Sequence, residues 1–508
     1  TSMNRQTKII ILIFCIIKLS LHLIADAHSG FQGDELLHIQ TGNHLAFGYM
    51  EFPPLIVIFA FIQNLFHSHS VFVYHIFSHA ASIGIIIFTA KTTLELGGKN
   101  KAVFFVLLAI IIAPGFDRSQ QLFQPVVFSQ FFWVLSFYYL TRFIKFTDKK
   151  SLWLLTFSCI LGLMSKYDAT FFIFGLTALL FFSSTRNALI KNKFWWNILV
   201  ALICILPNFF WQVANNFPVL QMFGRLYQTQ LDEISRLSNT SGILMDINPI
   251  VALLLFLPGI YYMIIARNKK LINPLSLSIA LSFCFLLFQN GKSYYYFPLA
   301  LTVLPFGAIF LEQIILKKKK WAIYPITILM IIGSILIPFG MPVYTFNRYL
   351  DKIYPFEKNQ IEGGKYGVKY DEYYSTEKWK NTMQDLKSVY DSLPQEEQKN
   401  CLIWGKHYGQ AGAVDLFRDQ YNLPQAFSFH GSFYSWTPTG AMPQTIIALS
   451  YRVGDFFQPY FGKVTRVRTL YNPYSNNDEE LYQYIYICQD PKQDFDTLKV
   501  LFKNRIFE

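Results

Sequence analysis

Charge is what this chain has least of. Only 15% of its 508 residues are Asp, Glu, Lys or Arg, against 53% hydrophobic ones. Such a chain cannot hide its apolar surface in one soluble core, so most of it belongs in lipid. Cysteine is scarce too, with 6 in all. Cys15, Cys159, Cys204 and Cys284 fall within apolar runs and read as packing residues. Gly405 and Gly409 lack the G-x-G-x-x-G spacing, which favours a plain turn over a nucleotide loop. His75 and His79 have zinc-like spacing, but they lie in the second apolar run without the usual extra ligands. No internal repeat is evident. The net charge of +12 does not imply nucleic acid, because the basic residues sit in short clusters between apolar runs and not on one face.

Those clusters are topology signals. Arg5 and Lys8 precede the first apolar run, and later clusters fall at 91–101, 142–150, 186–193, 267–270 and 317–320. The alternate loops, near 26–70, 115–124, 165–169, 214–247 and 289–296, are poorer in Lys and Arg. By the positive-inside rule the N-terminus is cytoplasmic and about eleven helices span the membrane. The first run has no small-residue cleavage site after it and reads as a retained anchor; Thr1-Ser2 ahead of Met3 reads as an appended dipeptide. From about Met341 the chain turns polar, with strand-like runs at 401–404, 445–451 and 482–488 and helical ones at 377–393 and 410–418. The expected organisation is a mainly α polytopic bundle over 1–340, followed by an external soluble α/β domain over 341–508. Cys401 and Cys488 both fall in strands of that domain, where an oxidising compartment permits a disulfide if the strands are neighbours.

The first external loop carries the chemistry. No Lys or Arg occurs between Lys18 and Lys91, yet Asp34, Glu35 and Glu51 lie there, close to a bilayer where lone carboxylates are expensive. Asp34 and Glu35 point about 100° apart on a helix, whereas Asp34 and His38 share a face. A purely structural account makes Asp34 a helix cap with Glu35 in the first turn, but it leaves Glu51 unexplained. Glu51 precedes Pro53-Pro54, which stiffen the chain as it re-enters the membrane; it is the candidate for a divalent metal cation. Eight of the ten histidines lie between His22 and His79; most suit an interfacial role, with His38 and His44 the candidates for the site. Tyr49, His38 and Asp117 are candidates for substrate contact.

Lys166 and Lys292 interrupt apolar stretches at the outer side. Snorkelling at the interface accounts for either one, but a lysine beside Tyr294 and Tyr295 is also what a lipid phosphate requires. Arg118 is a third cation on that side, although a solvated loop accounts for Asp117 and Arg118, as it does for Arg225, Asp232 and Glu233.

In its motifs and their order, the whole chain resembles the GT-C type, polyprenyl-phosphate-dependent glycosyltransferases, the group that holds protein O-mannosyltransferases and lipid A aminoarabinose transferases. The pieces that match are Asp34-Glu35, Gly48 to Leu55 as a variant of the acidic residue–x–Pro-Pro motif, and Lys166-Tyr167. Leu206 to Gln212 with Phe217-Pro218, Gly291 to Tyr295, and Tyr408 to Ala413 follow. The resemblance implies that Asp34 is the general base and that Glu51 binds a metal or organises the site. Val126 and Ser129 stand where relatives often carry acids, with Asp117 a possible substitute. It also implies a multi-pass protein of the bacterial inner membrane with its C-terminal domain in the periplasm, a polyprenyl-phosphate sugar as donor, and a lipid, protein or envelope glycan as acceptor.

The residues suit that chemistry independently. A phosphate-linked sugar already has a good leaving group, so the protein must deprotonate a hydroxyl and stabilise the phosphate. Asp34 with Glu35 suits the first task; Lys166, Lys292, Tyr294, Tyr295 and Arg118 suit the second. In-line attack predicts inversion at the anomeric carbon. The competing class is a transporter or flippase of a lipid-linked precursor, which would place polar residues near the midplane and show repeated halves. A non-catalytic scaffold leaves the carboxylates and lysines without a purpose.

Overall fold

A computed structural model describes residues 3–231, 235–266, 268–289, 291–360, 366–475 and 477–508. Asp232, Glu233, Arg267 and Asn290 of the motifs above lie outside the described residues. The chain divides into two compact units. The first comprises residues 1–25, 52–56 and 75–343; the second comprises 26–51, 57–74 and 344–508.

The first unit is helical. Six described helices are long and apolar enough to cross a membrane: Arg5–Ala27, Ile76–Glu95, Trp195–Ala214, Lys269–Phe288, Ser293–Lys318 and Lys320–Phe339. Three further pairs pass the same test together but bend sharply, by 67° between Asn100–Ile111 and Pro114–Gln121, 103° between Ala169–Leu180 and Ser183–Lys191, and 107° between Thr240–Asp246 and Pro249–Ile265. Two more helices miss the criterion for plain reasons. Pro125–Phe146 contains Gln130, Tyr138, Tyr139, Arg142 and Lys145, which lower mean hydropathy, and Lys149–Ser165 has only 17 residues. Counting both as spans is what the sequence figure of about eleven requires.

Helix breaks in lipid need partners for the freed backbone groups. Asn248 provides them at one break: its buried side-chain amide donates to the carbonyls of Ile112 (2.9 Å) and Gly333 (3.0 Å). Elsewhere a small residue sets the packing. A Cβ on Gly307 would strike the Leu255 carbonyl, so glycine there lets two helix backbones approach. The core of this unit runs through Phe105, Val106, Ile110, Phe137, Leu304 and Phe306.

The second unit is α/β. A short antiparallel pair, β1 (Asn359–Gln360) and β2 (Tyr366–Gly367), precedes a five-stranded sheet. The sheet contains β3 (Leu402–Gly405), β4 (Ala426–Phe427), β5 (Thr445–Ser450), β6 (Phe461–Tyr471) and β7 (Tyr482–Pro491), in the order β4-β3-β5-β7-β6. β3 runs parallel to β4 and β5, whereas β7 is antiparallel to β5 and β6. Trp404, Phe427, Phe457 and Phe495 fill the core beneath it. The Gly33–Thr41 helix belongs to this unit and packs on the Tyr408–Tyr421 helix, where a Cβ on Gly412 would come within 2.9 Å of the Leu36 carbonyl.

The expected disulfide does not form. Cys401 and Cys488 are both buried free thiols. β5 lies between β3 and β7, pairing Ile446 with Leu402 on one side and Cys488 on the other. Strands two places apart lie roughly 9.5 Å apart, beyond the reach of a disulfide.

Candidate active site

In the second unit the acidic loop is held against the start of the Tyr408–Tyr421 helix. Gln32, not Asp34, caps the Gly33–Thr41 helix: its side chain accepts from Asp34 N at 3.1 Å. Glu35 completes the capping box, accepting from Gln32 N at 2.8 Å, and is fully buried. The cap therefore leaves the Asp34 carboxylate available. Its Oδ1 accepts from the Tyr408 hydroxyl at 2.6 Å, and its Oδ2 makes no hydrogen bond among the described residues. His38 follows one turn later on the same helix, buried.

Tyr408 is fixed in turn. The His430 ring stacks on it at 4.6 Å and 10°, and Nδ1 of His430 accepts from Tyr408 N at 3.3 Å. His407 caps the Tyr408–Tyr421 helix through Nδ1, which accepts from Gly409 N at 3.0 Å. Burial, with His407 and Lys406 nearby, holds His430 well below the usual imidazole range. It is therefore a neutral acceptor near pH 7. Burial, then the Asp34 carboxylate, keeps the Tyr408 phenol protonated by pushing it well above its usual range.

Glu51 faces the same region. Its Oε1 accepts from Ser432 N at 2.8 Å and its Oε2 from the Ser432 hydroxyl. Gly431, at φ +58°, brings the backbone so close that any Cβ would collide with Glu51 Oε1. Burial pushes the Glu51 carboxyl up to about 7, with the Asp34 charge adding to the rise against the Ser432 hydrogen bonds. Among the described residues no set of three metal-ligating side chains includes Glu51. One carboxylate with both oxygens engaged by Ser432 does not fit a metal centre. The Tyr49 hydroxyl donates to the His44 carbonyl at 2.7 Å, and His44 stacks on Trp436 at 4.3 Å. Both residues thus brace the loop that presents Glu51.

In the first unit, Lys166 pairs with Asp168 at 2.6 Å, and the other Asp168 oxygen accepts from the Ser129 hydroxyl at 2.7 Å. The Lys166 ammonium lies over the Tyr295 ring at 4.3 Å and the Tyr294 ring at 5.5 Å. This assembles Lys166, Tyr294 and Tyr295 as the sequence grouped them. Lys292 begins the Ser293–Tyr296 turn, and its ammonium makes no hydrogen bond or ion pair among the described residues. The Tyr167 hydroxyl donates to Asn208 at 3.0 Å, joining two of the sequence motifs.

Asp117 and Arg118 are not in a solvated loop. They lie on the Pro114–Gln121 helix, and Asp117 is fully buried against Lys18 at 2.9 Å, itself fully buried. Lys18 was invisible as a partner because it lies 99 residues away within an apolar run. His22, paired with Gln121, sits 5.0 Å from His79 in ring-to-ring distance. Intramembrane ionisable groups pair in this way because lipid offers them no water. His407, His430 and Ser432 also went unnoticed in the sequence; nothing local marks them, since only the fold brings them to the acidic loop.

Comparison with known proteins adds a partial family match and a shared fold. Residues 52–211 match the family model described as dolichyl-phosphate-mannose-protein mannosyltransferase. The crystal structure of ArnT from Cupriavidus metallidurans bound to undecaprenyl phosphate superposes with a TM-score of 0.59 at 11% identity, covering 94% of this chain and 97% of that one. The Archaeoglobus fulgidus oligosaccharyltransferase with a tethered acceptor peptide gives a TM-score of 0.45 at 13% identity, covering 83% and 64%. No curated protein matches the chain in sequence. The fold is that seen in ArnT, a helical bundle with an α/β unit. In its fold and over residues 52–211, the chain is therefore similar to membrane glycosyltransferases.

Proposed function

We propose that this protein is an inverting glycosyltransferase that moves a sugar from a polyprenyl-phosphate donor to a hydroxyl acceptor at the periplasmic face of a bacterial inner membrane. The observation that carries the reading is the Asp34 carboxylate, held by the Tyr408 hydroxyl at 2.6 Å with its second oxygen without a partner among the described residues. A base needs that arrangement: one oxygen fixed, the other open to a proton. The undecaprenyl phosphate bound by ArnT and the dolichol phosphate bound by Archaeoglobus fulgidus AglB are the corresponding ligands of two structural neighbours.

In the proposed reaction Asp34 takes the acceptor proton as the acceptor oxygen attacks the anomeric carbon. The carbon–oxygen bond to the phosphate breaks, and its electron pair leaves with the polyprenyl phosphate. Lys292, without a hydrogen bond or ion pair among the described residues, and Lys166 over the two tyrosines stabilise that phosphate. Arg118, on a neighbouring helix of the same unit, adds positive charge. Glu35 and Glu51 organise the loop, and no step requires a metal. The test is incubation of the purified protein in nanodiscs with a radiolabelled polyprenyl-phosphate sugar and envelope extract. Label should pass to a hydroxyl acceptor with inverted linkage. Movement of the intact lipid-linked sugar across the bilayer without transfer would support the flippase reading instead.

A further inference from the structure

The second unit contains a cavity of about 290 Å³ that the reaction above does not use. Its floor is the Ser375–Asp391 helix, which contributes Asn381, Gln384 and Asp385; Tyr451, Tyr471 and Glu480 are among the residues of its other walls. Tyr451 directly follows the carboxyl end of β5, the strand parallel to β3, and His407 lies just past the carboxyl end of β3. β4 and β5 flank β3 on opposite sides, so the chain changes direction here. Open α/β sheets place ligands outside the carboxyl ends of their strands at such a point.

The lining defines the ligand. Asn381, Gln384 and Asp385 share one helix face, and their side chains have no hydrogen-bond partner among the described residues. Amides and a carboxylate together offer donors and acceptors to vicinal hydroxyls. The Tyr451 and Tyr471 rings supply apolar surface for the C–H face of a sugar ring. Lys378, nine-tenths buried, is already neutralised by Glu480 at 2.6 Å. Asp385 is then the uncompensated charge, which disfavours a phosphate or carboxylate ligand. The volume lies near the lower bound of small-molecule sites, roughly 300 Å³, and leaves no room for a lipid chain.

We infer that this cavity binds a neutral, hydroxyl-rich saccharide unit, and that it anchors the glycan part of the acceptor, a role that rests on the transferase reading. The cavity is linked to the candidate base. Gln483 in its wall donates to Thr382 at 2.8 Å and accepts from Gln410 at 2.9 Å. Gln410 in turn accepts from His407 N at 3.1 Å, next to Tyr408, which holds Asp34.

The experiment uses the full chain in nanodiscs and saturation-transfer NMR with mannose, N-acetylglucosamine and inorganic phosphate as probes. At least one sugar should bind, and Asn381→Ala/Asp385→Ala should weaken it at least about fivefold, the loss of one hydrogen bond. These residues lie on the outer helix face, so folding should survive; Tyr471→Ala, removing an exposed ring, is the second variant and should also weaken binding. Failure of both sugars to bind, binding unchanged in both variants, or displacement of sugar by phosphate overturns the saccharide site. Acceptor KM should rise in the same variants with kcat preserved; unchanged KM removes the anchoring role. Binding needs no donor. Loss of transfer in every preparation with sugar binding intact would therefore sink the transferase reading and leave the saccharide site standing.

Discussion

Glu51 gives the sharpest quantitative handle. Its carboxyl is pushed up to about 7 by burial, from an ordinary value near 4.5, while two hydrogen bonds from Ser432 oppose the rise. The folded protein therefore binds a proton that the unfolded chain has released across the interval from about pH 4.5 to about pH 7. Stability contributed by this group is fully present below that interval and is lost as pH rises through it. A shift of that size corresponds to at most about 3 kcal/mol, which for a domain of 150–250 residues is an upper bound of roughly 6–12 °C in Tm. Glu51→Gln keeps the geometry, because its carbonyl oxygen can accept from Ser432 N and its amide can donate to the Ser432 hydroxyl. Wild type should thus lose more thermal stability than the variant between pH 5 and pH 8, with the full chain compared in one detergent. Other titrating groups cancel in the difference. Parallel curves, or a steeper loss in the variant, would refute the account of Glu51 as a partly buried, proton-holding acid.

Asp34→Asn should fold normally, since Gln32 provides the helix cap, while turnover falls by at least about 10²; near-normal turnover would overturn its role as base. Glu35→Ala should do the reverse, lowering stability by about 1 kcal/mol through the lost capping box while the chemistry persists, as melting and initial-rate measurements on one preparation would reveal. Lys292→Ala should weaken affinity for a polyprenyl phosphate about tenfold or more, as expected for loss of a charge-assisted contact; unaltered affinity removes Lys292 from the donor site. Single cysteines at Lys318 and at the exposed Glu396 should react with impermeant reagents from opposite sides of the membrane, and labelling of both from one side would defeat the proposed topology.

The sequence made the first loop legible because polar residues in an apolar chain stand out. Asp34, Glu51, Lys166 and the tyrosines after Gly291 were all conspicuous against their surroundings. The strands over β3, β5 and β7 were equally visible, being short apolar runs between turns. β6 was not: it is an edge strand, mostly exposed and studded with Lys463, Arg466 and Arg468, which blunt an edge against pairing but erase the hydrophobic signal. The disulfide expectation failed for a related reason, because strand order depends on long-range pairing that local pattern does not encode. Lys18 and Asp117 each looked like an isolated charge. Their pairing is a tertiary fact, and it turns Asp117 from a loop residue into a buried one.

That pairing bears on which carboxylate can serve as base. Asp117 is committed to Lys18, Asp168 to Lys166 and Ser129, and Glu35 to the helix cap. Both oxygens of Glu51 are engaged by Ser432. The second oxygen of Asp117 is also without a hydrogen bond, but it is buried on a carboxylate neutralised by Lys18; Asp34 differs in having one oxygen fixed by a neutral phenol and the other without a partner among the described residues. A neighbouring carboxyl that holds its proton near pH 7 avoids setting a second full negative charge beside the base, which would hinder the approach of a phosphate-linked donor. The raised Glu51 carboxyl and the open Asp34 oxygen are thus two parts of one arrangement. On this argument the pH profile of transfer should weaken above about 7, as Glu51 ionises beside Asp34, and Glu51→Gln should remove that alkaline decline while leaving the dependence on Asp34 intact.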